Sequence, residues 1–188
     1  MMTHSSILLI EDSPGECELF RLALAQIGLA VTLYTEQDAE AAFHFLEDRA
    51  HQNIQWYFQA RSFTPPEGGL NRSPAARIEG ALSYGAPSAS TGDRSGLPSV
   101  ILLDLHLRGQ DGCNLLKRLR SDPRFATIPT IIFTTSDDQH DLARCYASGA
   151  NGYVVKPGTF AELVQFTHDI CRYWLTWNRS LSMVETQC

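Results

Sequence analysis

Ser99-Val-Ile-Leu-Leu-Asp-Leu-His-Leu-Arg-Gly-Gln-Asp-Gly112 is the stretch on which the fold turns. Four aliphatic residues, Val100 to Leu103, run straight into Asp104. A short apolar run bounded by turn residues reads as a strand buried on both faces. A carboxylate at the end of such a strand is costly unless it is paired, metal-bound or opened to solvent. In an open α/β sheet the carboxyl ends of the strands are where ligands sit. Asp104 is therefore either the cap of the next helix or the reacting group of a site, and this stretch alone leaves both open.

Working outward, the same layout recurs. Ile7-Leu-Leu-Ile10 is an apolar run ending in Glu11-Asp12, and Ser13-Pro-Gly-Glu16 then reads as a helix start, with Ser13 as N-cap and Glu16 completing a capping box. Phe20, Ala23, Leu24 and Ile27 fall on one helical face, and Gly28 ends the helix. Residues 30–34 read as a strand, and Thr35 with Asp38 starts a second helix that carries Ala41, Ala42, Phe45 and Leu46. Trp56-Tyr-Phe58 extends it and packs locally. Gly112 to Leu119 reads as a third helix, stopped at Asp122-Pro123. Thr130-Ile-Ile-Phe133 is a strand running into Thr134, followed by a capping box of Ser136 with Gln139 and a helix closed by Gly149. Gly152-Tyr-Val-Val155 is the last strand and runs into Lys156-Pro157. Thr159 with Glu162 caps a last helix whose apolar positions are Leu163, Phe166, Ile170, Cys171 and Trp174. Five strands alternating with amphipathic helices predict a parallel sheet covered on both faces.

The regularity fails from Thr64 to Ser99, where nearly half the residues are Gly, Pro or Ser. A connection that long reads as a flexible insertion or surface loop, at about 64–97. Residues 5–177 are then one domain and 178–188 a tail, too short for a DNA-binding output module.

The bulk numbers narrow the classes. A net charge of −6 over 188 residues argues against a nucleic-acid or anionic-membrane surface. The only two lysines are Lys117 and Lys156. Five scattered cysteines with no Cys-x-x-Cys pair suit reduced thiols, and no segment looks like a signal peptide or membrane span, so the expected compartment is the cytoplasm. Missing Gly-x-Gly-x-x-Gly and Gly-x-x-x-x-Gly-Lys motifs exclude dinucleotide-binding and P-loop enzymes.

In a parallel sheet the strand ends gather Glu11, Asp12, Asp104, Thr134 and Lys156 at one edge. Three converging carboxylates call for a hard cation such as Mg2+, which takes oxygen ligands and neutralises phosphoryl oxygens. Asp104 is then a carboxylate nucleophile for phosphoryl transfer. Lys156 pairs with it and later with a phosphoryl oxygen, and the Thr134 hydroxyl donates to another.

These motifs resemble the CheY-like response-regulator receiver domain. The matching parts are Ile7-Leu-Leu-Ile-Glu11-Asp12-Ser13, Ile101-Leu-Leu-Asp104-Leu-His-Leu with Asp111-Gly112, Ile131-Ile-Phe-Thr134-Thr-Ser136, and Gly149-Ala-Asn-Gly-Tyr153-Val-Val-Lys156-Pro157. Tyr173-Trp-Leu-Thr-Trp177 is similar to the end of the stand-alone regulators paired with bacterial and cyanobacterial phytochrome kinases, though Trp174 and Trp177 could equally serve to seal the last helix. The resemblance implies a flavodoxin-like (βα)5 fold with strand order 2-1-3-4-5. It implies phosphorylation of Asp104 by a sensor histidine kinase and Mg2+ held by Glu11, Asp12, Asp104 and the main-chain carbonyl of His106. Thr134 and Tyr153 become switch residues, and the face of the fourth helix, fifth strand and last helix becomes a homodimer contact. Such a protein catalyses only its own phosphorylation and dephosphorylation. Two other readings compete: a receiver-like scaffold independent of phosphate, and a phosphatase with an Asp nucleophile, the latter disfavoured by His106 where a second Asp would stand. One position departs from the family: Arg108 replaces the usual Pro four residues after the phosphoacceptor. An Arg there has the reach to meet a phosphoryl group or a partner's acidic surface.

Overall fold

The computed structural model describes residues 5–61 and 96–178. Five strands form one parallel sheet: β1 (Ser6–Ile10), β2 (Thr32–Glu36), β3 (Val100–Leu103), β4 (Thr130–Thr134) and β5 (Gly152–Val155), in the order β2-β1-β3-β4-β5. The helices are α1 (Pro14–Ile27), α2 (Ala39–Arg61), α3 (Gly112–Ser121), α4 (Gln139–Ala147) and α5 (Phe160–Ile170). A π-helical segment, Cys171–Trp177, continues α5. The parallel sheet covered on both faces is what the alternation of apolar runs and amphipathic helices predicts, and its strand order is the flavodoxin-like one that the resemblance implies.

The central strands are buried on both faces, so alternate residues supply two cores. Leu8, Ile10, Ile101, Leu103 and Ile132 point into one, where Ala42, Leu46, Leu116 and Cys145 bring α2, α3 and α4 against the sheet. Ile7, Leu9, Val100, Leu102, Ile131 and Phe133 point into the other, with Phe20, Leu24 and Ile170 from α1 and α5. Phe133 stacks on Phe166 with ring centroids 4.8 Å apart and meets Phe20 edge-on at 6.1 Å. Trp174 packs on that core, whereas Trp177 is exposed.

Several local expectations shift. β2 begins two residues later than the apolar run suggests. Gly28 takes the left-handed C-cap of α1, and a turn from Leu29 to Val31 uses up the start of that run before Thr32 pairs with Ser6. The α2 start falls at Asp38, whose carboxylate accepts from Ala41 N, while Thr35 stays in β2. Asp138, not Ser136, caps α4 by accepting from the amides of His140 and Asp141. Ser13 does cap α1, but its own N–H donates to Glu11 Oε1 at 3.0 Å, so no reciprocal box forms with Glu16. The Thr159–Glu162 box on α5 is complete. Helix α2 runs through Trp56 to Phe58, but the packing of their side chains, most of the 64–97 segment and the tail beyond Asn178 lie outside the described residues.

Candidate functional site

Ladder hydrogen bonds place the site. Glu11 N donates to Glu36 O and Asp104 N to Ile10 O, each at 2.9 Å, and Lys156 N donates to Thr134 O at 2.7 Å. Each residue thus sits one step past its strand, still held to the neighbouring strand, so their side chains meet at the carboxyl edge. Glu11, Asp104 and Thr134 are buried, and Asp12 is half-buried beside them. Glu11, Asp12 and Asp104 each bring a carboxylate oxygen within 4.8 Å of the others.

Lys156 compensates much of that charge. Its Nζ donates to Glu11 Oε2 at 2.6 Å, to the Glu16 carboxylate, and to Asp104 Oδ2 at 3.4 Å. It lies 5.7 Å from the centre of the Phe133 ring, so the aromatic stack forms its apolar floor. Burial pulls its pKa down, but the bonds from Glu11 and Glu16 and the charge of Asp104 win, leaving it raised. Burial pushes the Glu11 carboxyl up, and the contact with Lys156 opposes that only in part. Removing Lys156 would strand a buried carboxylate, a loss of about 3–5 kcal/mol for a broken buried pair.

Asp104 has a buried oxygen to spare. Oδ1 is buried, and no hydrogen-bond partner reaches it among the described residues. An orphaned buried oxygen on a carboxylate clustered with two others is costly as it stands. Those all-oxygen donors fit a hard divalent cation such as Mg2+.

The rest of the rim comes from β4 and the α3 start. Thr134 Oγ1 accepts from Ser136 N at 3.4 Å, and the Tyr153 hydroxyl donates to Ser136 O at 3.0 Å, with its ring half-buried. Beyond Asp104 the chain makes a small hairpin, His106–Leu107 against Gln110–Asp111, with Arg108-Gly109 at the turn and Gly109 at φ 67°. Leu105 and Leu107 point into the core, so His106 and Arg108 point outward. Gly112 N then closes on Leu105 O at 2.9 Å.

The structure thus brings Glu11, Asp12, Asp104, Thr134 and Lys156 together, with Tyr153 on β5 and His106 on the hairpin after β3. Sequence reasoning missed Glu16, which it assigned to a capping box and which instead faces Lys156 across the site. It also missed Arg144, which ties Asp111 to Asp141. The scarcity of lysine was a usable signal for Glu16, since a buried Lys156 needs more than one acid. Nothing in the sequence pointed to Arg144.

A family model described as the response regulator receiver domain matches residues 82–168. Response regulator Rcp1 of Synechocystis is 31% identical over 169 residues, which are 90% of this chain and 88% of the relative. The chain belongs to the response-regulator receiver family. It is a receiver of the two-component type, a family of signalling proteins that are generally not enzymes. Among solved structures, the phosphorylated cyanobacterial phytochrome response regulator RcpA shares 24% identity at a TM-score of 0.66, with 95% of this receiver and 99% of that chain covered. The bacteriophytochrome response regulator AtBRR shares 26% at 0.55, with 94% and 99% covered. The receiver is therefore close to phytochrome response regulators. No helix among its described residues is long and apolar enough to cross a membrane.

Proposed function

We propose that this receiver accepts a phosphoryl group on Asp104 from a sensor histidine kinase, of phytochrome type, and signals through protein contacts. The observation that carries this reading is the buried Oδ1 of Asp104, without a partner among the described residues, beside a lysine that already bonds the other oxygen. Lys156 orients the carboxylate through Oδ2 and leaves Oδ1 as the nucleophile. Oδ1 attacks the phosphorus of a phosphohistidine. The new O–P bond forms as the P–N bond breaks, and the imidazole leaves with the bonding pair.

Glu11, Asp12, Asp104 and the main-chain carbonyl of His106 would hold Mg2+, which when bound neutralises charge on the phosphoryl oxygens. Lys156 takes up one phosphoryl oxygen, and the Thr134 hydroxyl turns from Ser136 N to donate to another. Ser136 joins Thr134 to Tyr153, so that movement reaches the Tyr153 ring. The face of α4, β5 and α5 is then a two-state element biased by one local charge. Tyr146, Val155 and Phe160 are exposed apolar side chains on it, which supports a homodimer contact there. In this reading the receiver spans 5–177, with 64–97 an insertion entering at the amino end of β3, opposite the site.

Incubation with acetyl phosphate and Mg2+, followed by intact mass spectrometry, tests the assignment. The wild type should gain one phosphoryl group and Asp104→Asn none. Uptake by Asp104→Asn would overturn it.

A further inference from the structure

The cations around the acidic cluster divide their work. Buried Lys156 serves Glu11, Glu16 and Asp104. Among the described residues Arg108 is the one basic side chain paired with Asp12: Nε lies 3.4 Å from Oδ2, and Nη2 donates to the Asp12 main-chain oxygen at 3.2 Å. The hairpin makes this contact possible. Leu107 is anchored in the core, alternation turns Arg108 outward, and Gly109 at φ 67° folds the chain so that the guanidinium reaches back over the β1 end.

We propose that Arg108 sets the divalent-metal affinity of this receiver by competing for Asp12. The guanidinium holds the Asp12 carboxylate in the metal-free state, and a divalent ion must displace it or bind beside a second positive charge. Either route weakens binding relative to a chain with a neutral residue at 108. The Arg108 side chain is 73% exposed, so solvent and salt screen the effect and it amounts to a few-fold change. The inference rests on the metal-site reading above, and its test separates the two.

Mn2+ is a suitable probe because the free ion is counted directly by electron paramagnetic resonance, with no phosphoryl donor present. The full chain, Arg108→Ala, Arg108→Gln and Asp12→Asn are titrated at low and high salt. Arg118→Ala, which removes a charge paired with Glu40 away from the cluster, controls for net charge. Arg108→Ala and Arg108→Gln should bind roughly three- to tenfold more tightly at low salt, with the gain shrinking at high salt. Arg118→Ala should match the wild type, and Asp12→Asn should bind far more weakly. Wild-type affinity or weaker in both Arg108 variants overturns the role of Arg108 while leaving the metal site intact. An equal gain in Arg118→Ala overturns it too, by reducing the effect to net charge. Absence of binding in every chain, or full binding by Asp12→Asn, overturns the metal site and the inference together.

Discussion

A methyl group at position 112 would sit 2.2 Å from the carbonyl oxygen of Asp104 and 3.1 Å from Leu105 Cα. Both neighbours are backbone of the site itself, so neither can yield without moving Asp104. Gly112 is therefore a close-approach position that lets α3 start directly against the loop that follows Asp104. Gly112→Ala should destabilise the fold by about 2–4 kcal/mol, seen as a lower urea midpoint, because it forces overpacking against fixed backbone. An unchanged midpoint would show that the α3 start has room to shift. Glycine after Asp111 was visible in the sequence, but its reason was not: only the fold brings residue 112 back onto residue 104.

At the scale of elements, the site is framed by one polar chain across two helices. Asp111 caps α3 by accepting from Cys113 N at 2.9 Å, and its other oxygen pairs with Arg144 on α4. Arg144 Nη2 also bonds Asp141 at 3.0 Å, and the Ser136 hydroxyl donates to Asp141 at 2.8 Å. Beneath this chain the buried Cys113 and Cys145 sulfurs approach to 2.7 Å, and burial, with the Cys113 contact, pushes the Cys145 thiol up, which favours its protonated form. The Ser136 hydroxyl, followed by Arg144, holds the Asp141 carboxyl below its ordinary value of 3.8. A depressed carboxyl binds fewer protons in the folded state, so its stabilisation is present above 3.8 and lost as pH falls through the folded value. The stability gap between wild type and Asp141→Asn, roughly 1 kcal/mol near neutrality, should close on acidification in urea titrations. A gap that persists undiminished into strong acid would remove Asp141 from the account. The sequence suggested Ser136 as a helix cap because its spacing to Gln139 fits. Asp138 is the stronger acceptor two residues nearer the helix, and it frees Ser136 to link Thr134, Tyr153 and Asp141.

For the whole molecule, the architecture was legible because strand and helix periods alternate cleanly. The sheet's two-sided burial follows from runs such as Ile7–Ile10 and Val100–Leu103, whose successive residues enter opposite cores. Parallel strands then force their ends together, so Glu11, Asp12, Asp104, Thr134 and Lys156 were readable as one site before any distance was known. What stayed hidden is which cation serves which acid. That depends on side-chain reach across loops: Lys156 spans from β5 to α1, and Arg108 folds back onto β1. Neither pairing has a spacing in sequence. The central claim is that Asp104, and no other acid in this crowded edge, carries the phosphoryl group. Borohydride reduction of the phosphorylated chain converts an aspartyl phosphate to homoserine, and peptide mapping locates it. The account predicts homoserine at position 104 alone; homoserine at position 12, a reduced Glu11, or an unmodified position 104 in a phosphorylated chain would contradict it.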